Sequence, residues 1–161
     1  MAAILPQYTE NRIQTIFMTL EELSMPMKVD RKLEEYDPFG KYVGLRFTKW
    51  EKGYSQCVLQ VNRDLLNPYS SVHGGVTFTM ADSGMGFALV SCLEEGERCA
   101  TIETKIVYLK AIESGILTCD TKVIHRSKRI AVLESEIKHD GQLVAKAMGT
   151  WSVFRERSKR N

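Results

Sequence analysis

A long apolar stretch, residues 74–93, constrains what this chain can fold into more than any other feature. It begins within a His-Gly-Gly sequence, and Asp82 is the only residue in it with a formal charge. Small and apolar residues lie on all sides of its helical wheel, which predicts a helix that is buried rather than half-exposed. Burying a carboxylate without a partner is costly or shifts its pKa strongly. We therefore expect Asp82 either to be a hydrogen-bonded structural residue of the core or to line a pocket where it does chemistry.

An apolar run of this length could also span a membrane. Three features argue against a membrane span. Asp82 lies near the middle of the apolar run, four glycines weaken the run as a membrane-spanning helix, and strand-like segments surround it. The first residues lack the basic-then-apolar order of a secretory signal, since residues 1–6 are followed at once by polar residues. The four cysteines show no C-x-x-C spacing and fit reduced core residues. We expect no membrane partner and a cytoplasmic location.

Length and composition indicate one folded domain. A chain of 161 residues can bury a sizeable core, and 43% hydrophobic with 26% charged residues excludes disorder as the main state. The net charge of +2 gives no general attraction to nucleic acid, so no nucleic-acid partner is expected. The three histidines lie far apart in the sequence and show no zinc spacing, so we expect no metal.

The chain divides into three parts. Residues 1–35 form a predicted helical extension, in which residues 9–23 have the apolar spacing of an amphipathic helix. Residues 36–155 form the main domain, with a turn expected at 37–40, and residues 156–161 are a basic tail.

Six segments of the main domain have strand-like patterns. Two precede the apolar helix and four follow it in hairpin sequence, the last pair joined by an Asp-Gly turn. This order predicts an α+β fold in which an antiparallel sheet packs one face against the helix. Because one helix cannot cover both faces, the other face should be solvated or buried in an oligomer. The segments are 42–50, 54–61, 99–110, 115–125, 129–139 and 142–154.

Three motifs in fixed order then suggest a family. Asn67, the sequence His73-Gly74-Gly75 and a helical Asp82 resemble the hotdog-fold acyl-CoA thioesterases, in particular their PaaI-like (phenylacetic-acid-degradation) branch. The resemblance runs from about residue 36 to 154 and departs at Ser70, where the family often has glycine. It implies the hotdog fold, a sheet wrapped around one long helix, and hydrolysis of a thioester to a free acid and coenzyme A without a cofactor.

The resemblance also implies roles for individual residues. Asp82 would be the general base or nucleophile, and the backbone N–H groups of Gly74 and Gly75, at the positive end of the helix dipole, would stabilise an oxyanion. Asn67 would orient the carbonyl or carboxylate, although a turn-forming role before Pro68 fits it nearly as well. Thr101 would hold the water, a role that competes with that of an ordinary strand threonine, and His73 would shape the loop.

The spacing between these residues suggests a shared site. Nine residues separate His73 from Asp82, which places them roughly 13 Å apart along one helix. Asp82 therefore cannot easily serve the start of its own helix, whereas a facing helix of a second subunit could supply that end. The family pattern implies such a composite site, in a homodimer or homotetramer.

A basic turn supplies the remaining candidate contacts. The resemblance implies that Arg126, Ser127, Lys128 and Arg129 help to hold coenzyme A, since Arg and Lys suit its phosphates. A solvated hairpin turn is an equally good interpretation. Two other functions stay open on this fold: a non-catalytic acyl-CoA-binding or sensing module, and a dehydratase, whose usual His-Phe-Pro-Gly-type motif is absent from the sequence. The sequence does not identify the acyl group.

Overall fold

The computed structural model describes residues 37–155. The predicted helix at 9–23 and the basic tail at 156–161 lie outside the described residues. The described part contains two α-helices, a short 3₁₀ turn at Arg63–Leu65 and six strands. The helices are α1 (Pro38–Val43) and α2 (Gly74–Val90); the strands are β1 (Leu45–Glu51), β2 (Tyr54–Gln60), β3 (Glu97–Tyr108), β4 (Ile116–Arg126), β5 (Ile130–His139) and β6 (Gln142–Arg155).

The six strands form one antiparallel sheet in the order β1-β2-β4-β5-β6-β3. The predicted α+β fold, with one long helix on a six-stranded sheet, is confirmed. The expected hairpin sequence of the four strands after the helix is wrong at its first step. Strand β4 pairs with β2, so β3 lies at the far edge beside β6. The connection between β3 and β4 passes the helix start, where Ile112 is buried and its carbonyl accepts a 2.6 Å hydrogen bond from Val72 N–H.

Helix α2 rests directly on the sheet. A Cβ atom at Gly84 would lie 2.5 Å from Thr121 Oγ1, so only glycine permits this approach. The buried Ser55 hydroxyl donates to Gly84 O at 2.7 Å, which satisfies a polar group beneath the helix. Near the C-terminal end of α2, Trp50 Nε1 donates to Phe87 O at 2.9 Å. These contacts fix the position of α2 and with it Asp82.

The expectation that α2 is buried on every side is wrong for the single chain, because the sheet covers only one side of the helix. On the opposite side Phe78 is 37% exposed, and Asp82 and Ser83 are only half-buried. The side that faces the sheet is buried; its residues are Val76, Thr77, Met80, Ala81, Gly84, Met85, Ala88 and Leu89.

The predicted turn at 37–40 is instead the start of α1. Asp37 caps this helix, its Oδ1 accepting from Gly40 N–H at 2.8 Å, and Pro38 occupies the first turn, where a missing N–H costs nothing. Gly44 ends the helix with a left-handed conformation, which delays the start of β1 to Leu45. Neither helix between residues 37 and 155 is long and apolar enough to cross a membrane.

The outward face of the sheet carries a ladder of ion pairs. Glu134 contacts Lys122 at 2.7 Å and Lys146 at 3.3 Å, and Lys146 also contacts Glu136 at 3.1 Å. Contacts with these lysines hold the pKa values of both glutamates below their usual range. Charged cross-strand neighbours are typical of a sheet face that is not part of an apolar core.

Candidate active site

The start of α2 leaves one backbone donor unused. His73 is the N-cap: its Nδ1 accepts from Gly75 N–H at 2.9 Å, and its carbonyl accepts from Val76 N–H at 2.9 Å. Within residues 37–155, the Gly74 N–H has no acceptor. Gly75 is therefore not available as an oxyanion donor in this structure, and the predicted pair of donors is reduced to Gly74. His73 shapes the turn through its own side chain.

The carboxylate of Asp82 lies against two hydroxyls of β3. Its Oδ1 accepts from Thr101 Oγ1 at 3.2 Å and from Thr104 Oγ1 at 3.3 Å. Sequence reasoning singled out Thr101 and missed Thr104. Because side chains of a regular strand alternate, residues 101 and 104 should point to opposite faces.

A β-bulge explains why both threonines face the helix. Thr101 pairs with Trp151 and Glu103 pairs with Thr150, so Ile102 is an extra residue in β3. The bulge shifts the alternation by one residue, so that Thr101 and Thr104 both lie on the helix side. A change of phase in the sequence, from Cys99 and Thr101 to Thr104, Ile106 and Tyr108, is the signal that could have revealed it.

Asn67 builds the loop before the helix. Its Oδ1 accepts from Tyr69 N–H at 2.8 Å and Ser71 N–H at 3.2 Å, the pattern of an Asx turn. Ser70, where the family often has glycine, takes a positive φ of 62°. The turn that glycine would favour is thus kept by serine, at a cost of about 1 kcal/mol in backbone strain.

A cavity of about 440 Å³ is lined in part by Gly74, the residue whose N–H is free. Its wall is largely aliphatic and aromatic, Lys110 is its one charged residue, and Asp82 is not among its lining residues. Within one chain, Gly74 and Asp82 are eight residues apart on α2, so the N–H donor and the carboxylate are about 12 Å apart along the helix axis. The cavity is lined by Asn67, Tyr69, Ser71, Val72, Gly74, Thr77, Tyr108, Leu109, Lys110, Ala111, Ile112, Val144 and Ala145.

Of the four candidate residues in the basic turn, Arg126 and Ser127 use their side chains for contacts within the chain, whereas the other two are exposed cations. The Arg126 guanidinium forms an ion pair with Glu97, whose side chain is only 8% exposed, and a hydrogen bond from Glu94 N–H together with Arg126 lowers the pKa of that carboxyl. The Ser127 hydroxyl closes the turn against the backbone of Ile130. Lys128 and Arg129 are exposed and available to a ligand.

The basic turn and the helix start are far apart within one chain. The turn follows the last residue of β4, whereas the helix start contacts the connection before the first residue of β4. Ten residue steps along β4 span roughly 33 Å. One subunit alone therefore does not bring Lys128 and Arg129 to its own Gly74. No cluster of three or more metal-ligating side chains occurs between residues 37 and 155, and that no metal takes part stays a prediction.

Sequence comparison gives a consistent family assignment. Residues 69–146 match the family model described as the thioesterase superfamily. A protein of Saccharolobus solfataricus named "Putative esterase SSO1253" is 35% identical over 130 residues, which cover 80% of this chain and 85% of that protein. The acyl-coenzyme A thioesterase PaaI of Escherichia coli is 28% identical over 127 residues, covering 78% of this chain and 84% of that protein.

Solved structures share the fold. The conserved protein PA5202 from Pseudomonas aeruginosa superposes with a TM-score of 0.74 at 29% identity, covering 78% of this chain and all of that one. The E. coli PaaI protein from the phenylacetic acid degradation operon superposes with a TM-score of 0.71 at 26% identity, covering 78% of this chain and 88% of that one. The hotdog arrangement expected from the motifs is therefore confirmed.

Proposed function

Because the chain belongs to the PaaI-like branch of the hotdog-fold thioesterase superfamily and is a thioester hydrolase, we propose that it splits an acyl-CoA into a free carboxylic acid and coenzyme A. The observation that carries the proposal is the unpaired Gly74 N–H beside the cavity. A thioester carbonyl oxygen that accepts this N–H becomes more negative as the carbonyl carbon is attacked. The donor and the positive end of the helix dipole stabilise that charge.

Asp82 is proposed to bring about the attack on the thioester carbonyl carbon. As a general base its carboxylate takes a proton from water while the water oxygen bonds to the carbonyl carbon; the C–S bond then breaks and the thiolate receives the proton. As a nucleophile the same carboxylate attacks the carbonyl carbon, and the C–S bond breaks to leave a mixed anhydride and the coenzyme A thiolate. Water then hydrolyses the anhydride to the free acid and the Asp82 carboxylate, and the proton released from water goes to the thiolate. In both cases the hydroxyls of Thr101 and Thr104 hold Oδ1 in a fixed direction. No cofactor is needed for either route.

The site is proposed to be shared between two copies of the chain, because about 12 Å of helix separates Gly74 from Asp82 within one copy. Strand β3 is a 12-residue edge strand, and Ile102 at its bulge is 57% exposed. An exposed edge of this length is a template for pairing with another strand. A second copy placed along β3 and the open side of α2 would bring its own Gly74 towards Asp82. A homodimer is the smallest such assembly, and a homotetramer is compatible with it.

The two parts of the substrate are proposed to occupy different surfaces. The cavity suits the acyl group, because its volume lies in the range of small-ligand pockets and its wall is mostly apolar. Coenzyme A is larger and carries phosphates, so it requires an open, basic surface. Lys128 and Arg129 are exposed cations that a second subunit could place near the cavity mouth.

Reversing the charge of Lys128 and Arg129 together to Glu should raise the KM for acyl-CoA about fivefold at low salt, because two exposed ion pairs of about 0.5 kcal/mol each add up to about 1 kcal/mol. The increase should shrink at high salt and leave kcat unchanged, since screening weakens contacts between exposed charges. Steady-state kinetics at two ionic strengths measures both effects. Lys41→Glu, on the exposed surface of α1, is the control. An unchanged KM would remove the basic turn from substrate binding.

A thiol-release assay with a panel of acyl-CoAs tests the proposed function. The panel should contain aryl-acetyl, hydroxybenzoyl-type and medium-chain thioesters, with release of coenzyme A expected from at least one class. Binding without release from every member would favour the alternative, a non-catalytic acyl-CoA-binding module.

The cellular setting is proposed from the cysteines. All four cysteines of the chain are free, and Cys57 and Cys119 are fully buried. Free buried thiols are typical of proteins in reducing compartments, so we place this enzyme in the cytoplasm.

A further inference from the structure

The tyrosine at the end of β3 holds the helix start in place. We propose that Tyr108 is a positioning residue, whose hydroxyl fixes the Gly74–Gly75 peptide so that the unpaired Gly74 N–H keeps its direction beside the cavity. The inference rests on the proposed function, since it concerns the same oxyanion donor. It adds a residue that belongs to none of the motifs that identified the site.

The contacts of the peptide between residues 74 and 75 support this role. Tyr108 Oη donates to Gly74 O at 3.1 Å, and Thr77 Oγ1 donates to the same oxygen at 3.0 Å. On the other side of the peptide, Gly75 N–H donates to His73 Nδ1 at 2.9 Å. A peptide group is planar, so bonds at both its oxygen and its nitrogen fix the orientation of the whole plane.

The preceding peptide is fixed as well, because His73 O accepts from Val76 N–H at 2.9 Å. Gly74 joins these two planes, and glycine would otherwise turn freely between several backbone conformations. Once both planes are held, the Gly74 N–H has one direction. A donor that is already oriented stabilises a developing charge without reorganising during the reaction.

The Tyr108 hydroxyl can reach Gly74 O because residue 74 has no side chain. A Cβ atom on Gly74 would lie 3.2 Å from Tyr108 Cζ and Oη, which is closer than ordinary contact. The ring is 53% exposed in the single chain, so core packing does not account for its position. Tyr108 lies on the same strand as Thr101 and Thr104, which hold Asp82. Strand β3 therefore positions the carboxylate at one point and the oxyanion donor at another.

The test is Tyr108→Phe, which keeps the ring and removes only the hydroxyl. We expect kcat for acyl-CoA hydrolysis to fall about fivefold, the effect of one ordinary hydrogen bond, while KM changes less than about twofold. Amide hydrogen exchange at Gly75 and Val76, whose N–H groups are hydrogen-bonded in the first turn of α2, should become faster when followed by NMR, while exchange at Ala81 in the buried part of α2 stays the same. The control is Tyr42→Phe, since Tyr42 is 84% exposed on α1; it should change neither measurement.

The outcomes separate this inference from the proposed function. Unchanged kcat and unchanged exchange in Tyr108→Phe would overturn the inference while hydrolysis by the wild-type protein continued. A rise in KM with unchanged kcat would also overturn it, because Tyr108 would then contribute to binding alone. If the wild-type protein hydrolysed no acyl-CoA, the proposed function would fail, and the exchange measurement would still show whether Tyr108 orders the helix start.

Discussion

Asp82→Asn is expected to lower kcat by about a thousandfold, because an amide can neither take a proton from water nor attack a thioester. The substitution preserves shape, and Asn Oδ1 can still accept from the hydroxyls of Thr101 and Thr104. Binding of a non-hydrolysable acyl-CoA analogue should therefore be retained. Thiol release measures the first effect and calorimetric titration the second.

The matched control is Asp140→Asn. Asp140 lies in the turn between β5 and β6 with a φ of 49°, a conformation that asparagine tolerates well. This variant should keep wild-type kinetics. An Asp82→Asn enzyme with nearly unchanged kcat would show that Asp82 is a structural residue and has no part in the reaction.

Gly74→Pro is expected to lower kcat by about a hundredfold or more, because it removes the oxyanion donor itself. Position 74 is the first residue of α2, where proline is well tolerated, and its N–H makes no bond within residues 37–155. His73 has φ −61° and ψ 134°, the extended conformation that a residue before proline prefers. The thermal midpoint of unfolding should therefore change little, whereas activity is lost.

Gly74→Ala separates the loss of the donor from the added bulk. It keeps the N–H but brings a Cβ atom to 3.2 Å from Tyr108, which is half-exposed and can shift slightly. We expect its kcat to fall by no more than the fivefold assigned to the Tyr108 hydroxyl, so that it stays far more active than Gly74→Pro. If Gly74→Pro were as active as Gly74→Ala, the Gly74 N–H would have no role in the reaction.

The sequence pattern predicted the elements of the fold better than their arrangement. Period-2 alternation and the Asp-Gly turn located β2, β5 and β6 to within one or two residues, because these signals are local. The placement of β3 beside β6 depends on long-range pairing, which no local pattern contains. The exposure of one side of α2 has the same origin, since it depends on how much of the helix the sheet covers.

For the candidate site, the sequence likewise predicted where key residues lie but not which partners they contact. The motif located Asp82 and the helix start at Gly74, but which N–H stays free depends on the His73 side chain. Thr104 was missed because a bulge at Ile102 reverses the alternation of β3. The pairing of Arg126 with Glu97 follows from the order of strands and loops rather than from sequence spacing.

Mixing two inactive variants tests most directly whether the active site is shared between chains. Asp82→Asn and Gly74→Pro chains are co-expressed in equal amounts with different affinity tags, and thiol release is measured on the mixture and on purified mixed dimers. In a mixed dimer one site has both defects and the other has neither, so random association should restore about a quarter of wild-type activity in a two-fold symmetric assembly. Mixed dimers that stay as inactive as either parent would contradict a site built from Asp82 of one chain and Gly74 of the other.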